Sequence, residues 1–431
     1  MGVWWVALPV PAAITAFLPV AINAVFSLTD MQSVISCYSA ELVFLLAGSD
    51  IISMAWETTG VDQRIAARLL ALVGTSVKQQ ILIWFIMATL LSSVLPNTVV
   101  AAVMCSIAMS MLKAVGESDV RNSKSASLIL LAIVYGANNG GMLTPLGGAM
   151  NLVTVSYIEN LTGTEFLYSD WVVRMLPFTV LATAVTALFL VGGDCGKKNF
   201  GCSREHFREL CRSFPKLDRA GKASMVTFIA ATVLAFTRGL YQKLLPDLKP
   251  GYIFLIGGLL MFFLKDEHGK AVVTWEKTEK NLMWGLFFLF SGGMALGALI
   301  NGSGAADILA KIVSEINFRS EFSLIIAIVA LNVILSDIVN NTACAAITIP
   351  IVISIAQGLD LPVIPYLWIA TASYNLSFTL PTSIRSIPVG YGLDTKFMFR
   401  KGIAITACMI VLTALLGWYF VQYWPTFAVL S

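Results

Sequence analysis

The chain has 431 residues, 57% of them apolar and 12% charged, with a formal net charge of +3 and a mean hydropathy of +0.81. A soluble chain carries about 25% charged residues, so there is too little charge here to clothe a water-facing surface, and long soluble domains are excluded. The small net charge gives no ground for nucleic-acid binding, and the seven cysteines, at 37, 105, 195, 202, 211, 344 and 408, lack the paired spacing of a disulfide framework.

In chain order, apolar runs at 4–27 and 35–56 predict two membrane crossings, and the stretch that follows, 81–112, is of another kind. It is split by Pro96-Asn97-Thr98. Each half is about 14 residues, roughly 21 Å of helix against a hydrocarbon core of about 30 Å, which predicts a hairpin entering and leaving on one side with its polar tip near mid-membrane. Crossings at 126–158, 172–193, 223–241, 251–264 and 283–300 come next. A second split stretch, 322–357, carries Asn340-Asn341-Thr342 at its tip, and crossings at 362–392 and 402–424 complete nine crossings and two hairpins. The fold class is an all-α polytopic membrane protein, integral and multi-pass.

Two of these crossings do not read as unbroken helices. Gly136 to Gly148 contains five glycines, two asparagines and Pro145, and Thr379 to Pro388 contains two prolines and a charge, so both are predicted to unwind inside the membrane. Freed carbonyls at such breaks suit cations, and the helix beginnings beyond them suit anions.

Basic residues set the orientation. With the N-terminus inside and both split stretches re-entrant, the cytoplasmic segments 61–125, 194–222, 265–282 and 393–401 hold 21 of the 28 Lys and Arg residues, the other face holds six, and Arg385 alone falls in the membrane. Hairpin 81–112 then opens to the cytoplasm and hairpin 322–357 to the opposite side, an arrangement that suggests an inverted repeat. At an offset of 244, Ser92 meets Ser336 and Asn97-Thr98 meets Asn341-Thr342; beyond the hairpins the offset falls to about 236 and Pro145 meets Pro381. The domains are a first repeat over 1–193, a cytoplasmic linker loop over 194–222 and a second repeat over 223–431. An Asn-Thr pair at the start of a helical half offers amide and hydroxyl groups beside the positive end of the helix dipole, so one tip can hold an anion and a hard cation together.

On the two tip motifs and the Thr144-Pro145-Leu146-Gly147 break, the chain resembles the divalent-anion/sodium symporters, which include the sodium-coupled dicarboxylate and citrate cotransporters. The resemblance covers nearly the whole chain. It implies a homodimeric elevator-type secondary transporter of small divalent anions such as C4 and C5 dicarboxylates, working by sodium-coupled symport or by anion exchange, with no enzymatic activity and no cofactor other than coupling sodium. By the same resemblance a first sodium would lie among Ser92, Asn97 and Gly147 and a second among Ser336, Asn341 and Ser383. The anion would touch Asn97, Thr98, Gly148, Asn341, Thr342 and Ile384 or its neighbour Arg385. Sulfate, citrate and a channel-like anion leak are the alternatives. The chain departs from the family pattern where Pro96 and Asn340 replace the tip serines, at Gly148, and over Ile384 to Ile387.

Arg385 stands out, because a charge at membrane depth costs at least about 2.5 kcal/mol and needs a partner. It can bind a substrate carboxylate, take the place of the second sodium, or pair with Asp337 to serve packing. Other signals are weaker. Cys195, Cys202, His206 and Cys211 share the polar loop without a metal-ligand spacing, Gly293 and Gly297 read as ordinary helix packing, and the sequon at Asn340 lies in a membrane hairpin. With His206 and His268 the only histidines, a His-Glu-x-x-His metalloprotease is excluded, no nucleophile or metal constellation supports an enzyme, and no ring of like residues supports a channel.

Overall fold

The computed structural model describes residues 10–61, 76–200, 217–304 and 320–428, together with Trp4 and Arg64. Apart from two single-residue bridges, every regular element among them is helical. In chain order these are α1 (Leu18–Phe26), α2 (Met31–Ser36), α3 (Glu41–Thr59), α4 (Val77–Ser92), α5 (Asn97–Ala114), α6 (Lys124–Gly141), α7 (Ala149–Thr162), α8 (Tyr168–Val191) and α9 (Arg219–Phe236). There follow α10 (Pro250–Met261), α11 (Trp275–Asn281), α12 (Trp284–Gly302), α13 (Glu321–Ile338), α14 (Asn341–Gly358), α15 (Val363–Tyr374), α16 (Ser386–Gly390) and α17 (Thr395–Tyr423). Residues Cys202, His206 and Cys211 of the polar loop lie outside the described residues.

Six helical stretches, including α8, α9, α13, α14 and α17, are long and apolar enough to cross a bilayer. Their outward faces show why the chain needs lipid. Val173, Leu176 and Val180 on α8, and Val226, Ile229 and Val233 on α9, recur at helical spacing and are exposed, where a soluble protein would place polar side chains. With its many apolar helices the chain is an integral, multi-pass membrane protein.

Both split stretches fold as helical hairpins, α4–α5 turning at Ser93–Pro96 and α13–α14 turning at Val339–Asn340. The arms are longer than the apolar runs imply: 16 residues in α4 and 18 in each of the others, or roughly 24–27 Å. Polar ends are the reason, since Lys78, Gln79 and Gln80 join the first turn of α4 and Glu321 opens α13 behind a Ser320 capping box. Shortness therefore does not distinguish these hairpins. The meeting of their tips, described below, does. The run 4–27 likewise is not one continuous helix among the described residues: Ala12–Thr15 and α1 are separated at Ala16 and Phe17, with Pro19 in the first turn of α1.

Both expected breaks are present. The chain leaves α-helical form between α6 and α7 at 142–148, and between α15 and α16 at 375–385, each carrying a short 3-10 turn, Pro145–Gly147 and Ser383–Arg385. Ser383 takes φ = 52°, a left-handed conformation that costs a non-glycine residue energy and marks a forced turn. Gly293 and Gly297 on α12 pack inside the molecule. A Cβ on the first would lie 2.6 Å from Ala346 Cβ, and on the second 2.0 Å from the Tyr157 hydroxyl.

The pair α3–α10 is held by a close backbone approach. A Cβ at Gly48 would stand 2.2 Å from the Phe254 carbonyl oxygen, and Gly258 faces the Gly48 backbone at 3.0 Å. Neither backbone can give way without separating the helices. Gly48→Ala is therefore expected to destabilise by about 1–3 kcal/mol through overpacking, read as a thermal unfolding midpoint several degrees lower in detergent; an unchanged midpoint would contradict the packing described.

Candidate functional site

The two hairpin tips and the two breaks come together around one cavity of about 690 Å³, a size typical of small-molecule sites. Asn97 and Thr98 from the first tip, Asn341 and Thr342 from the second, Gly148 from the first break and Thr382 and Ser383 from the second all line it. Each is where a helical segment starts: α5 at Asn97, α14 at Asn341, α7 just after Gly148, and the turn leading to α16 at Ser383. A helix start carries unpaired N–H groups and the positive end of the dipole. Pro96 and Gly148 have no side chain that could cap α5 or α7, whereas Asn340 Oδ1 accepts the Ala343 N–H of α14 at 2.8 Å. The cavity is thus ringed by positive backbone ends, although no Lys, Arg or His among the described residues lines it.

Helix ends of the opposite sign lie behind the tips. In the first half Ser92 Oγ donates to the Ala137 carbonyl at 2.7 Å, in the last turns of α6. In the second, Ser336 Oγ sits 2.6 Å from the Tyr374 carbonyl at the end of α15 and 2.8 Å from Asn341 Oδ1. Asn97 lies against Gly141, where a Cβ would be 3.6 Å from the Asn97 side chain, and a Cβ on Gly147 would fall 2.2 Å from the Gly141 carbonyl oxygen. Ser92, Asn97 and Gly147 are in this way gathered at the carbonyl end of α6, and Ser336 and Asn341 at that of α15. Hydroxyl, carboxamide and carbonyl oxygens are the ligands a hard cation takes, and the negative end of a helix favours it. Ser383 faces the cavity instead.

The breaks lock one another. Asn341 Nδ2 donates to Asn138 Oδ1 at 3.0 Å, and Asn138 Nδ2 donates to the carbonyls of Asn375 at 2.6 Å and Ser377 at 3.1 Å. Asn151 Nδ2 satisfies the freed carbonyls of Gly141 and Thr144 at 2.6 and 2.9 Å, while Asn375 Nδ2 reaches Asn151 Oδ1 at 3.2 Å. Trp171 Nε1 closes the Met142 carbonyl at 2.9 Å. Irregular backbone in the membrane needs such internal partners.

Arg385 is fully buried and does not line the cavity, and neither does Ile384. Its guanidinium has five N–H groups, and five acceptors surround it: the Leu380 carbonyl at 2.7 Å, the Ser377 carbonyl at 3.1 Å, Ser377 Oγ, Thr382 Oγ1 at 2.6 Å, and Asp337 Oδ1 at 3.3 Å. Asp337 Oδ1 also accepts the Thr379 N–H at 3.0 Å, so the pair staples the second break to the end of α13. No donor is left for a carboxylate in this conformation. The guanidinium does stand one hydroxyl from the second tip, because Ser377 Oγ lies 3.2 Å from Asn341 Oδ1.

Of the residues singled out by sequence, the structure assembles Asn97, Thr98, Gly148, Asn341, Thr342 and Ser383 on the cavity wall, sets Ser92, Gly147 and Ser336 behind it, and turns Ile384 and Arg385 away. Sequence reasoning gave no role to Asn138, Asn151, Asn375, Ser377 or Asp50. A fully buried asparagine in an apolar helix was the available signal for the first three.

The citrate-transporter family profile matches residues 3–373 and again 248–430. A sodium-dependent dicarboxylate transporter, SdcS, of Staphylococcus saprophyticus is 25% identical over 440 residues, covering 98% of this chain and 84% of its own length. Its namesake in Staphylococcus aureus is 25% identical over 441 residues, covering 97% and 84%. Among solved structures the YdaH transporter of Alcanivorax borkumensis shares the fold with a TM-score of 0.61 at 15% identity, covering 91% of this chain and 88% of that one. MtrF of Neisseria gonorrhoeae does so with 0.56 at 12% identity, covering 92% and 84%.

The Arg385–Asp337 pair generates a test. Removing either member leaves a buried charge, at a cost of about 3–5 kcal/mol, so Arg385→Gln and Asp337→Asn should each lower the unfolding midpoint in detergent. The double variant should be no less stable than the worse single one; additive losses would show that the two side chains do not act as a pair.

Proposed function

Because the chain belongs to the citrate-transporter family, and with it to the divalent-anion/sodium symporters, we propose that it is a secondary transporter whose cavity holds a small di- or tricarboxylate, C4 and C5 dicarboxylates foremost. Membership makes it a transporter rather than an enzyme. The observation that carries the substrate reading is the cavity itself: matched Asn-Thr pairs and uncapped helix starts face it, which is chemistry for carboxylates rather than for a cation or an apolar solute. Thr98 and Thr342 hydroxyls, the Asn97 and Asn341 carboxamides and the backbone at Gly148 would hold the two ends of the anion.

The relatives' names speak of sodium, and the two cation positions differ in how well they suit it. Oxygens of Ser92, Asn97 and the end of α6 make a neutral donor set fit for one sodium ion, which would draw the first tip onto α6. At the second position a permanent cation already stands behind Ser377, so the residues do not fit a second sodium. Arg385 then supplies a fixed charge in place of one mobile ion, and either symport with fewer sodium ions or anion exchange follows.

An inverted repeat is supported by the equivalence of Ser92 and Ser336, 244 residues apart, each on a first hairpin arm and each bonded to a carbonyl near the end of the following broken helix. Asn139 and Asn375, 236 apart, are both fully buried. An elevator is supported by the asymmetry of bonding: hydrogen bonds tie tips to breaks as one unit, while the facing wall, with Leu45, Leu46 and Leu289 beside the polar Ser49 and Asp50, is largely apolar and able to slide. A homodimer rests on the family resemblance.

Three measurements test this reading. In proteoliposomes, labelled dicarboxylate uptake should saturate and be accelerated by unlabelled dicarboxylate or citrate inside; a linear, unaccelerated flux would identify a leak pathway instead. Thr98→Val and Thr342→Val should each raise KM by roughly tenfold or more, since a hydrogen bond to a charged group contributes about 1.5–3 kcal/mol. Uptake should rise hyperbolically with sodium or be independent of it, and a sigmoidal dependence would show that the second position is occupied by sodium after all.

A further inference from the structure

Among the described residues one ionisable side chain lines the cavity, and it is acidic. Asp50 lies midway along α3, is 5% exposed, and belongs to the wall opposite the tips with Leu45, Leu46 and Ser49. Its one hydrogen bond is with the Met283 N–H at 3.5 Å, the outer limit of such a bond, and Ser49 Oγ is turned to the Leu46 carbonyl. A carboxylate at membrane depth, in a cavity shaped for an anion, is unfavourable twice over: it is poorly solvated, and it repels the ligand.

The described surroundings offer it no counter-charge. Glu57, two turns along the same helix, is the charged group that acts on it, and is itself acidic. Of the elements packed on α3, α12 carries no ionisable group, α10 carries Tyr252, α9 carries Arg219 and Lys222 at its start, α7 carries Tyr157 and Glu159, and the turn before α3 carries Cys37 and Tyr38. None of them lines the cavity. Across it, Arg385 is spent on Asp337. A metal ion is not the remedy, because one carboxylate with a single backbone contact falls short of the several oxygen ligands an ion requires, and no cluster of three acidic, His or Cys side chains exists among the described residues.

We propose that Asp50 is the proton-coupling residue of the transporter. An anion entering the cavity brings a proton onto the Asp50 carboxyl, and the proton leaves when the anion does. The step balances as one proton taken from water per anion bound. This rests on the anion-binding reading given above, and the experiment separates the two.

Purified protein in weakly buffered detergent solution is titrated with fumarate and with citrate near pH 7, proton uptake is followed with an indicator dye, and the ligands' own ionisation is subtracted from a protein-free titration. Binding is followed in parallel by thermal shift between about pH 6 and 8, where fumarate is fully ionised. Wild type should take up a fraction of a proton per anion that grows toward one between pH 6 and 8, and should lose up to tenfold in affinity per pH unit. Asp50→Asn, which mimics the protonated carboxyl, should still bind the anion but take up no proton and show a flat affinity. Asp50→Glu should restore uptake, which separates a lost proton site from a misfolded variant. Anion binding without proton uptake in wild type, or equal uptake in Asp50→Asn, overturns the proposal while leaving the transporter reading intact. Failure of both anions to bind wild type overturns the transporter reading and the proposal with it.

Discussion

The structure depends on one constraint: where a helix stops inside a membrane, its unpaired backbone groups must find partners in the protein or in the ligand. Helical segments both begin and end around the cavity, and the two kinds of end are used differently. The carbonyl ends of α6 and α15 are covered by Ser92, Ser336 and the asparagine network. The N–H ends of α5 and α7 are left uncapped on the cavity side. Backbone polarity, costly everywhere else in the bilayer, becomes the recognition surface.

Charge is distributed with the same economy. Arg385 and Asp337 neutralise each other behind the second break and hold its shape, so the strongest cation in the membrane faces the protein and not the cavity. In the function proposed above, the anion would be left to partial charges: dipoles, amides and hydroxyls. Such groups bind a divalent anion without the deep well that a bare guanidinium would create, and a carrier must release what it binds. Asp50 opposes the anion from the far wall, which makes the electrostatics of the loaded and empty cavity differ by one charge.

Much of this was legible in the residues. Glycine, proline and asparagine inside apolar runs marked both breaks, and matched Asn-Thr pairs marked both tips, because in a membrane a polar or helix-breaking residue has no neutral explanation. The argument from length fared worse. Apolar runs of about 14 residues underestimate the hairpin arms, since Lys78, Gln79, Gln80 and Glu321 continue the helices without adding hydropathy. The orientation of Arg385 was beyond reach as well. Its neighbour in sequence faces the anion site in the family it resembles, but a long side chain can point to either side of a 3-10 turn, and the Ser377 and Leu380 carbonyls that capture it are freed only by the break.

What the sequence by itself determined was the solvent, the helices, the places where they break, and the pairs of polar residues at those places, all properties of local composition. Only the tertiary structure decided which of those residues share a cavity, that Arg385 turns to Asp337, and that Asp50, one acid among 25 in the chain, stands opposite the tips. The reason is geometric. Local sequence sets where polar groups arise along the chain, but their partners lie up to 252 residues away, as Arg174 and Thr426 do, and a polar group in a low-dielectric interior takes its meaning from the partner it meets.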